Sequence, residues 1–140
     1  MGTWGAGSFE NDEASDWAAD LIDGGDVAMI RDTLATAARC PGDEYLETDE
    51  GATALAAGEV VAAAAGRPLR KLSLGGSGEE ALAWASAYPA AGTVALVELA
   101  EVALERVAAG ESELHERWAG DADAREWFAA VEDLRTRLAG

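Results

Sequence analysis

One cysteine, Cys40, and one histidine, His115, stand in a chain of 140 residues. A lone cysteine excludes an intramolecular disulfide and gives no sign of an oxidising compartment. One cysteine with one histidine cannot assemble a conventional zinc site. His115-Glu116 begins like the zinc-protease helix, but the place of the second histidine is taken by Ala119. His115 therefore reads as a surface or partly packed side chain. Cys40 precedes the helix-breaking Pro41-Gly42 and reads as a small packing residue, since a nucleophilic role needs a base such as His115 beside it.

Basic residues are equally scarce. Ten stand against 27 acidic ones, a formal net charge of -17, and nine of the ten are arginine, Lys71 being the exception. No cluster exists to neutralise phosphates, so no nucleic-acid partner is expected. An acidic surface favours a basic protein partner, although salt-adapted and GC-rich genomes produce the same excess. Long apolar runs are missing too. The stretch around Ala62 to Ala65 is far too short for a bilayer, and Met1 to Gly7 lacks the basic-then-apolar order of a signal peptide. The expectation is a cytoplasmic protein without membrane association.

What the chain has is helical periodicity. Asn11 stands as a cap before Asp12 and Glu13, and Ala14, Trp17, Ala18, Leu21 and Ile22 follow at helical spacing up to Gly24-Gly25. A second helix opens at Asp26 with the stripe Val27, Ile30, Leu34 and Ala37 or Ala38. A third, from Asp49 to Ala65, is apolar nearly all round, as a central helix packed on several sides must be. Leu69 to Gly78 reads as a loop, Ser77-Gly78-Glu79-Glu80 as a capping box, and Ala81, Trp84, Ala85 and Tyr88 as an inward stripe closed by Pro89. Thr93 to Ala109 and Asp123 to Leu138 supply two more helices, the last with Trp127, Val131, Leu134 and Leu138 inward and Arg135 and Arg137 suited to its C-terminal dipole. The predicted fold is all-α: one compact domain over residues 1–140, a multi-helix bundle or orthogonal array of about six to seven helices, with a Gly/Trp-rich N-terminal arm docked on them.

No stretch commits to a chemistry. Gly75-Gly76-Ser77-Gly78 precedes a helix but lacks the Lys-Ser/Thr pair of a Walker loop, and Glu79 and Glu80 oppose a phosphate at that helix start. Glu98, Glu101 and Glu105 share one helical face, which reads as solvated because the Glu-x-x-His element of di-iron bundles is missing. No cofactor is implied. Glu59 is different, because its helix offers no polar side to which it can turn. Such a carboxylate is either paired with an arginine, an indole or backbone donors, or is a functional group of shifted pKa.

The opening Trp4-Gly5-Ala6-Gly7-Ser8-Phe9-Glu10-Asn11-Asp12, with Asp16-Trp17 behind it, resembles the start of the bacterial family known as domain of unknown function 4259. Glu59-Val60-Val61-Ala62-Ala63, Ser112-Glu113-Leu114 with Trp118, and Asp133-Leu134-Arg135-x-Arg137-Leu138 extend the similarity over nearly the whole chain. Ser8 stands where such proteins usually carry proline. The resemblance implies a helical fold and brings no activity with it. Physically, the glycines let the arm turn while Trp4 and Phe9 bury against the first helix. Trp4, Phe9, Asn11, Asp12, Asp16, Trp17 and Glu59 are the candidate functional or structural residues. Two functions compete: a small acidic, non-enzymatic interaction protein, immunity- or antitoxin-like and without a cofactor, and a carboxylate-based enzyme or ligand binder with Glu59 and Asp16 or Asp20 in a pocket. A carboxylate-lined apolar cleft would favour the second, and an acidic patch beside exposed tryptophans the first.

Overall fold

The computed structural model describes residues 12–40, 44–68, 76–109, 112–113, 115–116 and 124–139. Six α-helices occur among them: α1 (Asp12–Ile22), α2 (Val27–Ala38), α3 (Thr48–Ala64), α4 (Gly76–Ala87), α5 (Val94–Ala108) and α6 (Ala124–Ala139), with a 3-10 turn at Pro89–Gly92. Sheet is absent among the described residues apart from one isolated parallel bridge, Leu46 to Ser112. The all-α expectation is met. The N-terminal arm lies outside the described residues.

α3 is the axis of the fold. It packs against α1, α2, α4, α5, α6 and the 3-10 turn, and every residue from Gly51 to Ala63 except Thr53 is buried. Alanine and glycine at most of these positions let five neighbouring helices approach one rod closely. At Gly58 an added Cβ would lie 3.1 Å from Leu104 and 3.2 Å from Leu134, so α5 and α6 both press on that point. Around this axis α1 packs on α4, α2 on α5, and α5 on α6.

Local chemistry sets the boundaries. Asp26 caps α2 by accepting from Met29 N–H, and Thr93 caps α5 by accepting from Leu96 N–H. Gly66 ends α3 with a φ of 90°, a left-handed conformation that suits glycine. α4 begins at Gly76, so the helix already includes Ser77, where the sequence pattern placed a cap. Tyr88 also departs from expectation. It follows the last residue of α4 with φ -128° and ψ 69°, so its side chain leaves the inward stripe and stacks on Trp84 at 4.3 Å between ring centroids, half exposed. Ile22, the final residue of α1, lies at the rim for a different reason: still helical, it is turned about 100° from buried Leu21.

Candidate functional site

Glu59 projects from the middle of α3 and is 1% exposed. Its partner comes from the other end of the sequence. Arg137, near the end of α6, donates from Nη1 to Oε1 at 2.8 Å and from Nη2 to Oε2 at 3.1 Å, a fork-to-fork pair. Asp133, one turn earlier on α6, accepts from Arg137 Nε at 2.9 Å and forms an ion pair with Nη2 at 2.8 Å. Burial by itself would lower the Arg137 pKa. Hydrogen bonding and charge attraction to Glu59, and then to Asp133, outweigh burial and hold the guanidinium above its ordinary value.

A second arginine completes the arrangement. Arg67, just past the end of α3, donates from Nε to the Arg137 carbonyl and from Nη2 to the Leu138 carbonyl at 3.4 Å, while Arg137 Nη1 returns a bond to the Arg67 carbonyl at 3.3 Å. Each arginine thus binds the other's backbone. Arg67 satisfies carbonyls that the end of α6 leaves open and places a cation at the negative end of its dipole. That role was expected of Arg137, which faces inward to Glu59 instead. Two carboxylates and two guanidiniums balance, so the cluster carries no excess charge.

Two further ties went unread in the sequence. Arg106 on α5 is buried and donates from Nε to the Cys40 carbonyl at 3.0 Å, from Nη2 to Cys40 Sγ at 3.4 Å, and to the Glu44 carbonyl. The readable signal was position: Leu99, Ala103 and Arg106 fall at i, i+4 and i+7, on the flank of the inward stripe. Glu113 accepts from Thr48 N–H, the first of α3, at 2.8 Å, and its own N–H donates to Leu46 at 2.8 Å. A carboxylate from 65 residues away therefore caps the central helix. Tyr45 adds a bond from its hydroxyl to Glu116 at 2.8 Å.

The remaining candidates do not converge on Glu59. Trp17 is buried, and its indole N–H donates to Thr33 Oγ1 at 2.8 Å. Asp12, Asp16 and Asp20 are exposed on α1, and Trp4, Phe9 and Asn11 lie outside the described residues. His115 meets Phe128 edge-on at 5.4 Å between ring centroids, whereas the Cys40 thiol meets Arg106. Among the described residues no three His, Cys, Asp or Glu side chains are grouped to hold a metal ion. Two surface grooves are formed by described residues alone, and Glu59 lines neither. One of about 400 Å³ lies between α5 and α6, lined by Glu101, Glu105, Glu132, Arg135, Thr136 and Ala139. The other, about 350 Å³, runs beside Cys40 from Thr36 to Glu50. Among the described residues Trp127 is buried like Trp17 and Trp84 is half-buried, so none of these three tryptophans forms an exposed patch.

Fold and site together define an all-helical domain locked by an internal ion-pair cluster. The chain belongs to the family described as Domain of unknown function (DUF4259), which matches residues 2–130. The match includes Glu59, Arg106 and Glu113 and ends before Asp133 and Arg137. No curated protein and no solved structure matches the chain. No helix among the described residues is long and apolar enough to cross a membrane.

Proposed function

We propose that this chain is a small acidic protein-interaction protein of the cytoplasm, immunity- or antitoxin-like in kind, that covers a basic partner. The observation that carries the reading is the state of Glu59. Both oxygens of this carboxylate, which the sequence left as either paired or functional, are held by Arg137, and neither described groove reaches it. A carboxylate held on both oxygens supports a structural role, which favours the interaction reading over the carboxylate-based enzyme. The charge excess of -17 is then free to act from the surface, where it speeds encounter with basic proteins and repels nucleic acid.

The test is affinity capture of the tagged chain in its native cell across a salt series. A basic protein recovered in fixed ratio and released as salt rises is the expected result. Recovery of the chain alone at low salt, or only with acidic proteins, refutes the proposal.

A further inference from the structure

Valine is a poor residue for the water-facing side of a helix, because its β-branch restricts its rotamers and its apolar surface gains nothing there. Charged residues and alanine fill most exposed helix positions among the described residues. Yet Val94 is 74% and Val102 50% exposed, the two most exposed large apolar side chains among the described residues. Both are on α5, eight positions apart and so within about 80° of each other around its axis. A background excess of acidic residues accounts for glutamates on a surface but not for these valines.

The same side of α5 carries Glu98, Glu101 and Glu105, and among the described residues none of the three has a cationic partner. The helix's one basic residue, Arg106, is turned inward to Cys40 and Glu44. Glu101 and Glu105 also form one wall of the groove of about 400 Å³ shared with α6, and on the opposite wall Arg135 is taken up by Glu132 at 3.7 Å. Two apolar footholds are thus framed by carboxylates beside a depression.

We propose that this outer face of α5, with the adjoining groove, is the docking surface for a Lys/Arg-rich amphipathic segment of the partner protein. The assignment rests on the interaction reading above. The segment's apolar side chains seat on Val94 and Val102 while its cations reach Glu98, Glu101 and Glu105. Charge selects this occupant. A second copy of the chain would bring the same glutamates against these, and nucleic acid or an anionic membrane would meet the same repulsion.

The experiment uses the full chain and, as probe, a fluorescent helix-forming peptide of leucine and lysine, followed by anisotropy from low to physiological salt. Val102→Asp is the deciding variant, because it adds negative charge while removing an apolar foothold. Docking on this face predicts about tenfold weaker binding, whereas attraction to net charge alone predicts equal or tighter binding. Glu98→Gln with Glu105→Gln should weaken the complex by about tenfold, while Asp16→Asn with Asp20→Asn on α1 removes the same charge and should stay within about twofold. All three are surface changes, and unchanged melting curves verify their folding. Unweakened binding by Val102→Asp, or equal loss in the two neutralised pairs, overturns the α5 assignment and leaves the interaction reading standing. No binding by the parent at low salt overturns both. Sedimentation showing a dimer that Val102→Asp dissolves also overturns the assignment, because the occupant is then a second copy.

Discussion

Glu59→Ala removes a carboxylate that is 1% exposed and leaves the Arg137 guanidinium, only 13% exposed, facing the space it occupied. Breaking one side of a buried pair costs about 3–5 kcal/mol, most of it from the charge left behind. Asp133 limits the loss because it continues to hold two of the Arg137 nitrogens. Glu59→Gln keeps the shape and one acceptor but turns an amide NH2 toward a guanidinium, for about 1.5–3 kcal/mol. Arg137→Ala strands the more deeply buried partner and should match or exceed Glu59→Ala. Replacing both, as Glu59→Leu with Arg137→Met, leaves no buried charge and should return stability to within about 1 kcal/mol of the parent, or above it. Asp133→Asn, at a side chain 55% exposed, should cost less than about 1 kcal/mol. Urea unfolding followed by tryptophan fluorescence gives all five values, and a loss of 3–5 kcal/mol corresponds to roughly 10–15 °C in melting temperature for a domain of this size. The reasoning is refuted if both single alanine variants fall within about 1 kcal/mol of the parent, or if the double variant is worse than either single one.

Gly92→Ala should destabilise by more than about 2 kcal/mol, since its Cβ would lie 2.5 Å from the Ala65 nitrogen, a backbone atom that cannot swing aside; an unchanged denaturation midpoint would disprove that close approach. Glu113→Ala removes the carboxylate bound to Thr48 N–H and should cost about 1 kcal/mol, with hydrogen exchange rising first at the start of α3. Deletion of residues 1–9 takes away Trp4 and Phe9, each worth on the order of 2 kcal/mol if docked. The melting temperature should drop by several degrees, and an unaltered curve would mean that the arm serves something other than stability.

The helices were legible because their signals are local. Asp26 and Thr93 cap where their side chains suggest, the Trp127, Val131, Leu134 and Leu138 stripe faces in, and Gly66 ends α3. Burial of Glu59 followed from the absence of any polar side on its helix, and an arginine was one of the partners such burial allowed. Which cation was not readable. Arg137 is 78 residues away and sits in the last turn of α6, where dipole reasoning alone assigns it to the helix end. Arg67, a loop residue by sequence, took that task. Arg106 and Glu113 were missed for the same reason: each binds backbone groups more than 60 residues distant, and a backbone carbonyl or N–H leaves no mark in composition or spacing. Tyr88 shows the opposite failure, since one residue past the end of a helix the 3.6-residue period no longer says where a side chain points.

A rod coated on all sides with alanine and valine can be spun inside its socket at small cost, because every face it offers is nearly the same. α3 comes close to such a rod, and hydrophobic burial alone distinguishes only weakly among angles about its axis. Glu59 breaks that degeneracy. At one angle the carboxylate meets Arg137; at others it faces alanine without a cation, at a cost of several kcal/mol. The neighbouring Gly58 sharpens the setting, because only a residue without a side chain fits easily between Leu104 and Leu134. A charge and an empty position, adjacent in sequence, thus act as an index mark that tells the central helix which way to face while five others assemble around it.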